Sequence, residues 1–156
     1  MAYHGAAIEI NGGSLSARDN FAVGTNGKDG WGNNTIVFND GVLTGNITSP
    51  GYEAIGVYIA NNDTFIMNGG EIIANNGAGI CMRAGHVVIN GGTIIATGTA
   101  GTTGKIGDNK TAMSKSGIIY HQTANYPGYQ QSGMLLEVKG GTIIGVDHSI
   151  EVISNE

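Results

Sequence analysis

The ten residues VVINGGTIIA, Val87–Ala96, decide how this sequence is read. Taken alone they suggest a hairpin, two apolar runs about a glycine turn. They have four relatives: IEINGGSLSA at 8–17, IVFNDGVLTG at 36–45, FIMNGGEIIA at 65–74 and LEVKGGTIIG at 136–145. A repeated unit has to be read first, because it governs the whole fold.

With Gly13, Gly41, Gly70, Gly92 and Gly141 in one column, large apolar residues alternate before the bend: Ile8/Ile10, Ile36/Phe38, Phe65/Met67, Val87/Ile89 and Leu136/Val138. After it come Leu15/Ala17, Leu43/Gly45, Ile72/Ala74, Ile94/Ala96 and Ile143/Gly145. Period-2 alternation means strands that share one core face. The taper to Ala or Gly predicts a corner where space runs out. A shorter signal lies between the units. Aligned on Gly56, Gly79 and Gly117, it places Val57/Ile59, Ile80/Met82 and Ile118/Tyr120 inward. Phe21/Val23 and Ile150/Val152 read as flanking degenerate copies.

The unit is therefore strand, bend, strand, loop, strand, with periods of 28, 29, 22 and 49 residues between bend glycines. The expected fold is all-β, a parallel β-solenoid of about five coils with three short strands each. Stacking at ~4.8 Å pairs each backbone with the coil above and below. A sandwich of hairpins is the rival, but it gives no reason for like residues to recur in like columns. Residues 1–156 are read as a single solenoid domain with insertions at 24–34, 46–54, 97–116 and 121–133.

On these repeats the chain resembles the right-handed parallel β-helix proteins of the pectate-lyase-like superfamily. Phage tail-spike and other virion repeats and bacterial surface repeats are closest in style. The resemblance covers nearly the whole chain but concerns fold, so chemistry must be argued from sites.

Composition narrows the function. Glycine makes up 28 of 156 residues and charged residues 12%, too regular and apolar a mixture for a disordered chain. A net charge of −5 with no Lys/Arg cluster argues against nucleic acid as a partner. The single cysteine, Cys81, permits neither an internal disulfide nor a thiolate zinc cluster. No run reaches the roughly 18 apolar residues of a membrane span. The amino terminus carries no signal-peptide pattern and reads as repeat by Ile8.

Neither a catalytic centre nor a metal or cofactor site is expected. β-Helix enzymes gather carboxylates on one outer face, and glycoside hydrolysis needs a pair roughly 5–10 Å apart. Here the outward column before the bend reads Glu9, Val37, Ile66, Val88, Glu137, with three apolar positions between its acids. Glu71 has no acidic column-mate, and the acids are too scattered for calcium. Asn11, Asn39, Asn68 and Asn90 share a column that Lys139 breaks, read as a structural amide ladder rather than a ligand track. Arg83 and His121 fall in one column on adjacent coils and are read as a solvated turn before a binding pair. A truncated polysaccharide lyase or hydrolase is the enzymatic alternative.

The outer faces are apolar where a solenoid is normally polar. Val37, Ile66 and Val88 point outward on one face, Ile73, Ile95 and Ile144 on the next, and Tyr58, Cys81 and Ile119 on the third. Loops of the same chain or a subunit interface would cover such ridges. For the set, a homo-oligomer is expected, most simply a trimer of parallel solenoids. Coil grammar runs from residue 8 to Ile153, so the ends are expected either to continue a longer solenoid or to meet a partner.

Loops on a rigid scaffold commonly carry binding. The 24–34 and 121–133 insertions leave one corner with Trp31, Tyr126, Tyr129, Gln122, Gln130 and Gln131, a set suited to sugar stacking or a protein contact. The 97–116 insertion has little to bury and is expected to be mobile or ordered by a neighbour. The overall expectation is a non-enzymatic structural or adhesive module on a virion surface, as a decoration, fibre or spike protein contacting other virion proteins. The alternative is a carbohydrate-binding module of a bacterial cell-surface protein.

Overall fold

The computed structural model describes residues 1–48, 54–101, 105–106, 111–121 and 133–153. These residues are all-β, without a helix; none therefore is a helix long and apolar enough to cross a membrane. The first two long strands are β1 (Ala7–Arg18) and β3 (Thr35–Asn46), with β2 (Phe21–Gly24) between them and β4 (Ile55–Ile59) after. Next come β5 (Thr64–Met67), β6 (Glu71–Asn75), β7 (Ala78–Met82), β8 (Gly85–Ile89) and β9 (Thr93–Thr97). The chain ends with β10 (Lys105–Ile106), β11 (Thr111–Ala112), β12 (Ile118–His121), β13 (Met134–Val138), β14 (Thr142–Ile144) and β15 (Ile150–Ile153).

Every ladder is parallel except the small β10–β11 pair. β1 and β3 run through the bend, so one eight-stranded sheet has two halves. Before the bend the order is β1, β3, β5, β8, β13; after it, β1, β3, β6, β9, β14. The second sheet runs β2, β4, β7, β12, β15. Strands at one level form a tier, and each tier pairs with the next in sequence.

The register follows the apolar columns. Ile36 pairs with Phe65, Phe65 with Val87, and Val87 with Leu136; Leu43, Ile72, Ile94 and Ile143 align likewise. These residues, with Val57, Ile59, Ile80, Met82 and Ile118, form one continuous core. Burying each large aliphatic contributes roughly 1.5–3 kcal/mol, which sets the register firmly, since a one-residue slip would turn every one outward.

The bend glycines all have positive φ, from +75° at Gly70 to +111° at Gly41. A Cβ at Gly70 would lie 2.6 Å from the Phe38 ring and 2.8 Å from the Gly41 carbonyl oxygen. Both handedness and space therefore demand glycine. The predicted taper has the same origin, because a Cβ at Gly45 would come within 2.5 Å of the Ile55 carbonyl oxygen.

Two expectations are corrected here. Phe21 and Val23 sit two residues earlier than their column suggests, opposite Ile55 and Val57. Val23 joins the core while Phe21 packs outside it, stacked on Tyr58 with ring centroids 5.3 Å apart. The physical reason is that outer stack, which half-buries the ring against Tyr58. The 97–116 insertion does have something to bury: Met113, Ser114, Lys115 and Ser116 are all buried. Met113 packs with Phe21, Ile47 and Ile153 around Tyr58, Cys81 and Ile119. Asp147 fastens this strap, accepting from the Gly101 N–H at 2.9 Å and the Lys115 N–H at 2.8 Å. The chain thus covers its third apolar ridge itself.

Candidate functional site

The corner between the second sheet and the pre-bend strands carries a polar column. Asn34 accepts from the Ala6 N–H at 2.9 Å. In the next tier Asp63 Oδ1 accepts from both the backbone and the side-chain amide of Asn34, each at 2.8 Å. The column then stops at Gly85, which pairs Met134 one tier on. Gly85 has φ +77°, and a Cβ there would overlap the Asp63 carbonyl. With no side chain to continue the column, a cleft of about 340 Å³ opens, lined by Asn62, Asp63, Thr64, Gly85, His86, Gly133, Met134 and Leu135.

Asp63 is fully buried, and its Oδ2 has no hydrogen-bond partner. Burial raises its pKa, against the opposing pull of hydrogen bonds from Asn34. The hydroxyl proton of Thr25 goes to the Ala60 carbonyl at 3.2 Å, so it leaves Oδ2 open. On the rim, His86 Nε2 lies 2.7 Å from Glu137 Oε1, and Lys139 Nζ lies 3.3 Å from Oε2. The His86 hydrogen bond first, and Lys139 second, hold the Glu137 carboxyl below its usual range. The cleft offers the His86 imidazole and apolar walls from Met134 and Leu135, with Asp63 Oδ2 sealed from solvent behind it.

Sequence reasoning chose this corner but other residues. Trp31 is half-buried and engaged by the stretch before β1 and its own loop: the Tyr3 ring meets it edge-on at 4.8 Å, His4 lies at 5.3 Å, and Lys28 Nζ sits 4.5 Å over its face. Asn33 and Asn62 lock the loop by reciprocal hydrogen bonds of 3.0 and 2.5 Å. Tyr126, Tyr129, Gln122, Gln130 and Gln131 lie outside the described residues. The Trp31 loop leaves the first tier and the 121–133 insertion the fourth, so their roots are about 14 Å apart along the stack. Asp63 and His86 carried a missed signal: NNT at 33–35 and NDT at 62–64 introduce successive strands in the same way, whereas AGH at 84–86 puts glycine in the acidic place.

Arg83 and His121 are not a solvated turn. Each is only 2% exposed, although their column alternates with the core residues Met82 and Tyr120 and so lies on the side of Cys81 and Ile119. The amide ladder forms as expected: Asn39 donates to Asn11 at 2.6 Å, Asn68 to Asn39 at 2.7 Å and Asn90 to Asn68 at 2.8 Å. A second column runs at the far end of the post-bend strands, with Asn75 donating to Asn46 at 2.5 Å and Thr97 to Asn75 at 2.9 Å.

Of the proposed interface residues, Val37, Ile66, Ile73 and Ile95 are half-buried, Val88 is buried, and Ile144 is 47% exposed. Glu9 and Glu137 stand in the first and last tiers, ~19 Å apart, beyond the separation glycoside hydrolysis uses. Among the described residues, no group of three or more His, Cys, Asp or Glu could hold a metal ion. Comparisons with protein-family models, with curated proteins and with solved structures find no match for this chain. The likeness to pectate-lyase-like β-helices therefore rests on the repeat pattern alone.

Proposed function

We propose that this chain is a right-handed parallel β-helix of about five coils that serves as a non-enzymatic structural module in a side-by-side homo-oligomer. The tier-by-tier parallel ladders and the aligned glycine column support the β-helix reading. The observation that carries assembly is a contrast between faces. The Tyr58–Cys81–Ile119 ridge is buried under the chain's own strap, whereas the Ile73–Ile95–Ile144 ridge faces outward. A trimer closes such a ridge around a three-fold axis. Its setting is the surface of a virion, as decoration, fibre or spike, with a bacterial cell surface as the alternative.

Light scattering during gel filtration tests this reading. At the lowest concentrations the smallest wild-type species is expected at three times 16.0 kDa. Ile95→Lys places a charge on the ridge and is expected to remove that three-fold species while the chain stays folded. A wild-type monomer at micromolar concentration overturns the proposal.

A second reading is favoured by one feature, the cleft between Asn62, Thr64, His86 and Met134. It makes the corner a binding site for a small hydroxylated ligand such as a sugar. Glycan-array binding that survives in Trp31→Ala but is lost in His86→Ala would support it; array silence removes it.

A further inference from the structure

We propose that the last tier docks the first tier of a second copy of this chain, so that molecules stack head to tail along the strand-pairing axis. This deepens the assembly reading above by adding an axial contact to the lateral one.

The last described tier has the apolar pattern of an interior tier but an exposed outer side. Val138 and Val152 stand in columns whose earlier members, Ile89, Met67, Met82 and Ile59, are buried. Yet Val152 is 68% exposed, Val138 47% and Ile150 42%. The first tier is the matching half: Leu15, in the column of the fully buried Leu43, Ile72 and Ile94, is 43% exposed. Both ends keep the bend glycine, Gly13 at φ +83° and Gly141 at φ +91°. β1 has one paired edge, as do β13 and β14, and two parallel edges of this kind complement each other.

Side chains supply the specificity and choose a second copy over other occupants. Within the chain, Asn39 donates 3.0 Å to Glu9 of the preceding tier as well as to Asn11. Glu9 and Glu137 occupy the same column in the first and last tiers. A copy stacked in register sets its Asn11 amide against Glu137 as Asn39 is set against Glu9. Lys139, at the position after the ladder's last asparagine, then faces the carboxylate of the incoming Glu9. Each end thus carries the partner the other requires. The contact is heterologous and does not close, so it makes open stacks.

Sedimentation velocity across a concentration series reads the outcome. The wild-type chain is expected to show masses that grow with concentration without a plateau. A fixed mass across the series, whether monomer or trimer, overturns axial stacking, and a fixed trimer leaves the lateral reading intact. Asn11→Asp keeps the acceptor that Asn39 uses but removes the donor and sets a carboxylate against Glu137. It is expected to weaken stacking by about tenfold or more. Val152→Lys blocks the other end at an exposed position, so both variants should fold, as circular dichroism checks. Mixed, Asn11→Asp keeps its last tier and Val152→Lys its first, so they should form capped one-to-one pairs. Undiminished stacking by either variant alone, or a mixture with no new species, also overturns the proposal.

Discussion

At Asp63 two demands meet on one carboxylate. One oxygen holds Asn34 in the neighbouring tier, and the other has no partner in a buried setting. Because burial raises its pKa, the contribution of Asp63 to stability is complete below the ordinary aspartate range. It is lost as pH rises through the raised value. Asp63→Asn keeps the acceptor for Asn34 and carries no charge. Urea denaturation from pH 4 to 8 should show the variant gaining on wild type as pH rises; a difference that is flat with pH sinks the assignment. The glycine bends are stricter. Gly70→Ala puts a side chain at φ +75° against the Phe38 ring and should cost at least about 1–3 kcal/mol, measured by the same titration. A smaller loss would mean that the bend relaxes.

Elements were legible in the sequence to the extent that a column repeats. Val87, Ile89, Ile94 and Ala96 were placed correctly because four other tiers present the same types in the same order. Phe21 was misplaced because a first tier has a neighbour on one side only, and its aromatic found burial against Tyr58 outside the core. The strap at 113–116 was missed because it has no counterpart in other tiers: its burial depends on Asp147, more than thirty residues away. Asp63 was missed for a related reason, since what matters is the side chain that Gly85 lacks. The strap yields a chemical test. Cys81 is fully buried beneath Met113 and Ile47. Asp147→Ala removes the acceptor for Gly101 and Lys115 and should speed labelling of Cys81 by a thiol reagent in the native state. An unchanged rate would mean that Asp147 does not fasten the strap.

For the whole molecule, the carboxylates with shifted pKa pull in opposite directions. Hydrogen bonds from His86 and Lys139 hold Glu137 low, and backbone N–H groups of Gly101 and Lys115 hold Asp147 low. Their contributions are present above the ordinary carboxylate range and disappear as pH falls through their lowered values. Acid should therefore loosen the last tier and the strap while it relieves Asp63. Hydrogen exchange at pH 3 is expected to rise first in β13–β15 and 113–116, with the β5–β8 amides protected longest. Uniform exchange across the tiers would contradict this ordering.

The amide ladder also gives the molecule a direction. Each asparagine Nδ2 points toward the lower-numbered tier, and the Asn46–Asn75–Thr97 column donates in the same sense. Side-chain dipoles aligned in this way add, as peptide dipoles do along a helix, leaving partial positive charge at Asn11 and partial negative charge beyond Asn90. Lys139 stands at that negative end. Where the column loses its asparagine it gains a cation, and the break in the pattern serves as a terminator for the dipole that the pattern builds.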